Sequence, residues 1–371
     1  MCVSVNITVR KTTIRLSDGR ELSYFDTGAA GRRDEPDRRG LSPARPASPL
    51  RYDPFQRAWV MYASHRQDRT YLPSAADCPL CPSTDTRATE IPAHDYQVVV
   101  FENRFPALTQ SGGGLLPEDA AGEPDELLPT RASAGRCEVI CFTSDHSASF
   151  ADLSADRARL VTEALIDRTR ELSALPEVAQ VFCFENRGRE IGVTQPHPHG
   201  QIYAYPFVTQ RTARALEAAS AYARRTGRNL SDDVVAAERA AGSRIVLAGD
   251  HWTAFVPHAA RWPYEVHCYP NRRVPDLASL RPEERAGLAA VQLDLLGRFA
   301  RLFDQPAPYI SGWHQAPART GREHFALHLE LFTLRRSNDK LKYLAGSESG
   351  MDAFANDIPP EQAAARLREL G

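Results

Sequence analysis

The sequence is most constrained at residues 195–201, which read Gln-Pro-His-Pro-His-Gly-Gln and continue into the apolar, aromatic run 202–205. This pattern predicts the start of a β-strand. Side chains two residues apart share one face of a strand, so we expect His197, His199 and Gln201 to point at one ligand. Two imidazoles in one site favour a division in which one binds a metal and the other acts as a nucleophile. The alternative is a surface turn with incidental histidines, but the clustering favours a functional site.

Length and composition limit the classes of protein to which the chain can belong. Its 371 residues, 42% of them hydrophobic, suffice for two domains or for one large fold built from two similar halves. A net charge of -2 provides no overall field for nucleic acid or membranes. No run approaches 18 apolar residues, and residues 1–9 alternate like a strand rather than forming a signal peptide. We therefore expect a cytoplasmic protein with neither nucleic acid nor membrane as partner.

The cysteines point to a metal. Seven cysteines, an odd number, argue against a secreted disulfide framework. Cys78 and Cys81 have the spacing of a zinc half-site, and in the absence of a second such pair the remaining ligands should be histidines from elsewhere. A redox pair is the alternative, but redox motifs open a helix after a strand, whereas these cysteines lie among prolines. The sequence therefore favours a metal site.

The motif at 195–201 resembles the active-site motif of the galactose-1-phosphate uridylyltransferases, a branch of the histidine-triad superfamily. The likeness extends from about residue 51 to the C-terminus. It is carried by short motifs in order along the chain: Ser64-His65-Arg66, Cys78-Pro79-Leu80-Cys81, Ser144-Asp145-His146, Phe184-Glu185-Asn186, Gly312-Trp313-His314 and Pro360-Glu361-Gln362-Ala363-Ala364. The resemblance implies an α/β fold of two tandem histidine-triad-like halves, with antiparallel sheets and packed helices.

The resemblance also implies a division into three parts. Residues 1–50 would form N-terminal strands and a flexible connector, 51–235 the catalytic half with the zinc site, and 236–371 the second half with a substrate-contacting tail. Residues 31–49 are rich in Arg, Asp, Gly and Pro, which predicts weak order. Residues 110–135 are either a mobile active-site loop or a disordered segment, and their composition does not decide between the two.

Specific residues receive roles through this resemblance. His199 would be the nucleophile, and Gln201 stands where hydrolytic members of the superfamily carry a third histidine. His146 and His197 would complete the zinc site with the two cysteines. The substrate contacts would be Arg66, Arg69, Asn103, Asn186, Gln201, Lys342 and Glu348, with the two arginines on phosphate oxygens. Arg104 departs from the pattern, because an acidic residue is common there in the family.

The second half echoes the first. Residues 138–141, Glu-Val-Ile-Cys, recur as Glu-Val-His-Cys at 265–268, an offset of 268 − 141 = 127 residues, and a helical segment follows each time. Such an echo indicates duplication. The second half lacks the nucleophile motif, although relatives often bind a second, structural metal there. His314 and His328 correspond to its ligands while Glu330 replaces a usual histidine, so the presence of this second iron or zinc site stays open.

The expected reaction is transfer of UMP from UDP-glucose to galactose 1-phosphate through a uridylyl-histidine intermediate. In the family, the segment that includes 342–348 reaches into the partner subunit's site, which implies a homodimer. One alternative is an adenine-nucleotide sugar phosphorylase, because plant relatives with the same histidine motif have that activity. Another is a zinc-stabilised nucleotide-binding module without turnover.

Overall fold

The computed structural model describes residues 7–28, 31–43, 48–63, 73–109 and 126–371. The predicted phosphate contacts Arg66 and Arg69 lie outside these residues. Within the described part of the chain, no helix has the length and apolar character needed to cross a membrane. The strands are β1 (Val9–Arg15), β2 (Glu21–Thr27), β3 (Pro49–Asp53), β4 (Ala58–Met61), β5 (Val98–Glu102), β6 (Thr130–Ala132), β7 (Arg136–Cys141), β8 (Gln180–Arg187), β9 (His199–Tyr205), β10 (Ile245–Ala248), β11 (Trp252–Phe255), β12 (Val266–Pro270), β13 (Tyr309–His314), β14 (His328–Phe332), β15 (Arg335–Ser337) and β16 (Lys340–Leu341). The helices are α1 (Ala155–Ala174), α2 (Gln210–Thr226), α3 (Leu230–Ala241), α4 (Pro282–Ala300), α5 (Gly346–Met351) and α6 (Pro360–Glu369).

One eleven-stranded antiparallel sheet runs through the described part of the molecule, in the order β1-β2-β5-β7-β9-β8-β13-β14-β12-β11-β10. Outward from the central pair β8 and β13, the strands match two by two: β9 with β14, β7 with β12, β5 with β11 and β2 with β10. The predicted α/β fold of two similar halves is therefore confirmed, and the halves share a single sheet. A small sheet, β4-β3-β6, packs beside β9 through an apolar cluster.

Helices α1 and α4 cover one face of this sheet, which we call the helix face. Ile202 and Ala204 of β9 are buried there with apolar residues of both helices. A buried ion pair ties α1 to β7, since Arg168 Nε and Nη2 each lie 2.8 Å from a carboxylate oxygen of Glu138. Because successive strand residues alternate, His199 and Gln201 lie on the opposite face, the site face.

The sequence echo that indicated duplication is one residue out of register in the strands. Helices α1 and α4 begin at Ala155 and Pro282, an offset of 282 − 155 = 127. In the sheet, however, Gln201 lies opposite Val139 and Glu330 opposite His267, so the strand offset is 267 − 139 = 128. A slip of one residue moves each side chain to the other face of a strand. Letter matching therefore placed residues 265–268 on the wrong faces.

The N-terminal segment is held to the first half by arginines. Strands β1 and β2 pair as an antiparallel hairpin. Residues 31–43 form no helix or strand, yet Arg33 donates to Asp26 at 2.7 Å and 3.1 Å, and Arg39 lies 2.6 Å from Glu90. Both carboxylates are buried. The expectation of weak order did not include these contacts. A prediction from composition treats arginine and aspartate as solvent-exposed groups and gives no information on their ion pairs.

Candidate active site

Strand β9 presents the central motif on the site face of the sheet, beside β8 and β7. Gly200 lies between the two motif side chains and faces the opposite way. A Cβ atom at this position would come within 2.9 Å of the Phe184 carbonyl oxygen and 3.0 Å of the Phe142 ring. Only glycine lets β9 approach this closely, and the position of His199 depends on that approach.

Gly200→Ala should therefore lower both stability and activity. We expect an overpacking cost of about 1–3 kcal/mol and a displaced β9. Thermal melting and initial rates measure the two effects. Gly31→Ala is the matched control, because a Cβ there meets nothing within 4 Å. If both variants melt and react alike, the packing argument for Gly200 is wrong.

The ring of His199 is fixed by its own strand. Its Nδ1 lies 2.7 Å from the main-chain carbonyl oxygen of His197. A carbonyl can only accept a hydrogen bond, so Nδ1 carries the proton and Nε2 keeps a free lone pair. Burial lowers the pKa of His199, which favours the neutral ring. The side chain thus has the tautomer and charge state that a nitrogen nucleophile requires.

Two cavities meet at His199. The first combines apolar and aromatic side chains with polar and charged ones, and its wall comprises Pro79, Leu80, Glu90, Phe101, Asn103, Arg104, Phe105, Val139, Thr194, Gln195, His199 and Gln201. The second has arginines in its wall and includes Asn186, Arg187, Arg189, Gln195 and His199. The structure therefore brings Asn103 and Gln201 to one side of the predicted nucleophile, and Asn186 to the other.

Behind the motif lies a cluster of potential metal ligands on the site face. The ligand atoms of Cys78, Cys81, His146 and His197 all lie within 4.8 Å of one another. Cys81 Sγ is 3.5 Å from His146 Nδ1 and 3.6 Å from His197 Nδ1. Two thiols and two imidazoles that converge from three separate segments match the donor set of a closed tetrahedral zinc site. The residues present therefore fit a structural metal.

The orientation of His197 supports this fit. Its Nε2 lies 2.9 Å from the Thr143 carbonyl oxygen and 2.7 Å from the Tyr96 hydroxyl, which leaves Nδ1 to face the cluster. Burial lowers the pKa of His197 to about 4, so the ring is neutral and its lone pair is available. These outer contacts, which no sequence motif indicated, fix the ring as in many metal sites. Since the His197 carbonyl also holds His199, the cluster and the predicted nucleophile share one piece of backbone.

The second half carries a matching but altered pair. His328 and Glu330 occupy the positions in β14 that His199 and Gln201 occupy in β9. His328 Nδ1 lies 2.9 Å from the Ala326 carbonyl oxygen, as His199 does from His197. The neighbouring side chain is now a carboxylate, which repels phosphate groups. This half therefore has the same strand geometry, with a carboxylate in place of the motif amide.

A second group of possible metal ligands forms around Glu330. His314 Nε2 and His328 Nε2 each lie 3.4 Å from its carboxylate. His267, which no sequence pattern indicated, has its Nε2 3.8 Å from Glu330 Oε1 and 2.8 Å from Glu265 Oε1. Arg211, also missed, donates to both Glu330 oxygens at 2.6 Å and 2.7 Å. His267 reaches Glu330 through the pairing of β12 with β14, and Arg211 reaches it from α2, so no spacing in the sequence could indicate either contact.

The predicted contacts Lys342 and Glu348 pair with each other and not with the motif. Lys342 Nζ lies 2.9 Å from Glu348 Oε1, and neither residue lines the two cavities at His199. Tyr343, Leu344 and Met351 nearby are exposed. Within one chain the structure does not bring this pair to the site.

Comparison with known proteins divides the chain into two parts, as the two similar halves of the sheet do. Residues 42–209 match the family model of the galactose-1-phosphate uridyl transferase N-terminal domain, and 215–371 match the C-terminal one. The chain belongs to this family. It is 49% identical to a galactose-1-phosphate uridylyltransferase of Streptomyces lividans over 98% of both chains. It is 36% identical to one of Thermotoga maritima over 86% of this chain and 98% of the relative.

Solved structures agree with this assignment to the galactose-1-phosphate uridylyltransferase family. A uridylyltransferase structure matches with a TM-score of 0.78 at 31% identity, over 87% of this chain and 98% of that one. An ADP-glucose phosphorylase from Arabidopsis thaliana shares the fold with a TM-score of 0.66 at 21% identity, over 87% of this chain and 99% of that one. The family resemblance read from the motifs is confirmed.

Proposed function

We propose that this chain transfers UMP from UDP-glucose to galactose 1-phosphate, giving UDP-galactose and glucose 1-phosphate. The observation that carries the proposal is the hydrogen bond from His199 Nδ1 to the His197 carbonyl oxygen, which frees Nε2 where two cavities meet. Family membership supplies the substrate class. We assign the nucleotide to the first cavity and the sugar phosphates to the second, where Asn186 would contact phosphate.

The reaction proceeds by double displacement. The Nε2 lone pair of His199 attacks the α-phosphorus of UDP-glucose, the P–N bond forms, and the P–O bond to glucose 1-phosphate breaks. A phosphate oxygen of galactose 1-phosphate then attacks the same phosphorus, and the P–N bond breaks. Both leaving groups are stable, so a general acid is not required. The amide of Gln201 donates to the non-bridging oxygens as charge shifts onto them.

We assign zinc to the cluster of Cys78, Cys81, His146 and His197. When bound, zinc would supply structural cross-linking and no catalytic step. The residues themselves do the positioning, because the His197 backbone carries the carbonyl that fixes His199. Iron or zinc at the Glu330 group is a separate proposal. Arg211 already donates to both oxygens of the Glu330 carboxylate, so a metal there would compete with this arginine.

We propose a homodimer in which Lys342 and Glu348 complete the partner's site. Neither residue of this pair is in the wall of the two cavities at His199 in its own chain, and the side chains beside the pair are exposed; both observations support the proposal. Arg66 and Arg69 are proposed to hold phosphate oxygens, as the family resemblance implies. The six cysteines of the described residues form no disulfide, and we propose the cytoplasmic location expected from the sequence.

Gln201→His tests the role of the motif amide. We expect slower UMP transfer and a larger share of free UMP, because an imidazole can protonate a leaving group and activate water where an amide cannot. Separate assays of UDP-galactose and UMP give the ratio of transfer to hydrolysis. If the variant transfers as fast as wild type and releases no more UMP, Gln201 does not suppress hydrolysis.

A further inference from the structure

The wall of the first cavity contains a carboxylate that no sequence motif indicated. Glu90 lies in the loop between Cys81 and β5, and its side chain faces the same cavity as His199 and Gln201. The residue is only 7% exposed. Among the described residues that line this cavity, Glu90 is the single carboxylate. A buried acid requires a charged or hydrogen-bonding partner.

Two arginines hold Glu90 in place. Arg20 Nη2 lies 2.6 Å from Glu90 Oε2, and Arg39 Nη1 lies 2.6 Å from Oε1. Both guanidinium groups are nearly buried and have further bonds, from Arg20 to Asp18 and from Arg39 to Asp37. Each carboxylate oxygen therefore has one arginine and one remaining lone pair. Glu90 is a rigid, charged acceptor with capacity for two more hydrogen bonds.

The neighbouring charged side chain in the cavity wall, Arg104, cannot supply such an acceptor. Arg104 has donors only. Its Nη1 lies 3.9 Å from Glu90, and its guanidinium group lies 5.6 Å from the centre of the Phe105 ring. Arg104 therefore offers a ligand in this cavity no acceptor, whereas Glu90 offers two carboxylate oxygens.

We propose that Glu90 recognises the ribose of the bound nucleotide, with its carboxylate accepting hydrogen bonds from the vicinal 2′ and 3′ hydroxyls. This inference rests on the proposed function, because it needs a nucleotide in the first cavity. Two adjacent hydroxyl donors match the two oxygens of one carboxylate. The charge repels phosphate, so the phosphates lie at the His199 end, while Phe101 and Phe105 offer rings to the base. Arg20 and Arg39 are positioning residues.

The test compares UDP-glucose with 2′-deoxy-UDP-glucose as uridylyl donors. Hydrogen bonds to charged groups contribute enough for wild type to prefer UDP-glucose by roughly 10- to 100-fold in kcat/KM. Glu90→Gln removes the charge and one acceptor, so the preference should fall to within about threefold of unity. Glu90→Asp keeps a carboxylate for both arginines, but the side chain is one methylene shorter and the carboxylate lies farther from the ribose. This variant should also show a smaller preference for UDP-glucose. The ratio is internal to each variant and independent of the folded fraction.

Asp18→Asn is the matched control, because it disturbs the same arginine cluster without touching the cavity wall. It should keep the wild-type preference. The proposal is overturned if wild type uses both donors equally, if neither Glu90 variant narrows the preference, or if Asp18→Asn narrows it as much. If Glu90→Gln alters the use of donors that carry a base other than uracil but leaves the preference for the 2′ hydroxyl unchanged, Glu90 contacts the base and the proposal is also overturned. If wild type transfers no UMP at all, the proposed function itself fails, which is a distinguishable result.

Discussion

His199→Asn should lower the rate of uridylyl transfer by roughly 10⁴- to 10⁶-fold, the scale observed when a covalent nucleophile is removed. Asparagine can still donate to the His197 carbonyl oxygen, so β9 should keep its place, but it offers no nitrogen lone pair to phosphorus. The melting temperature and the metal content should stay at wild-type values, because His199 is not among the four clustered ligands. Steady-state rates, melting curves and elemental analysis measure the three quantities.

His328→Asn is the matched control for this variant. His328 occupies the equivalent place in β14 and makes the same bond to a carbonyl two residues earlier. We expect its transfer rate to stay within about tenfold of wild type, since the site is not on the reaction path. Equal losses in both variants would mean that the decrease reflects the fold, and the assignment of the nucleophile would be wrong.

Cys78→Ser should remove the proposed zinc and lower the melting temperature by roughly 5–10 °C. The cluster joins the Cys78–Cys81 turn to the motif strand, so loss of the metal should loosen both segments. Uridylyl transfer should also become slower, because the His197 carbonyl that positions His199 would be less firmly held. Elemental analysis and thermal melting on the same preparation link the two effects.

Cys183→Ser provides the comparison, because Cys183 is also buried but lies outside the cluster, with polar neighbours Thr169 and Gln315 at 4.0 Å. It should keep one zinc per chain. If Cys78→Ser keeps its metal, the ligands are other residues. If it loses metal without a change in melting, the cluster does not stabilise the fold.

Much of the site follows from local sequence. The alternation in the motif strand placed His199 and Gln201 on one face, and the Cys78–Cys81 spacing indicated a half-site whose histidines now lie beside it. These features depend on strand period and ligand spacing, which are properties of short segments.

The remaining features depend on contacts between distant segments. Glu90 joins the cavity wall only because Arg20 and Arg39, from the N-terminal segment, fold back onto it. His267 reaches Glu330 only through the pairing of β12 with β14. The repeat of Glu-Val-Ile-Cys as Glu-Val-His-Cys also predicted an alignment of the two halves that is one residue off in the strands, because identical residue types do not show which face of a strand a side chain occupies.

The most direct test of the central claim is the intact mass of the protein after exposure to UDP-glucose alone. We predict a covalent adduct with the mass of one uridylyl group per chain, which is discharged by galactose 1-phosphate and absent from His199→Asn. ADP-glucose should leave the mass of the wild-type protein unchanged. Active protein that never acquires the uridylyl mass, or a His199→Asn variant that still acquires it, would contradict the double-displacement mechanism.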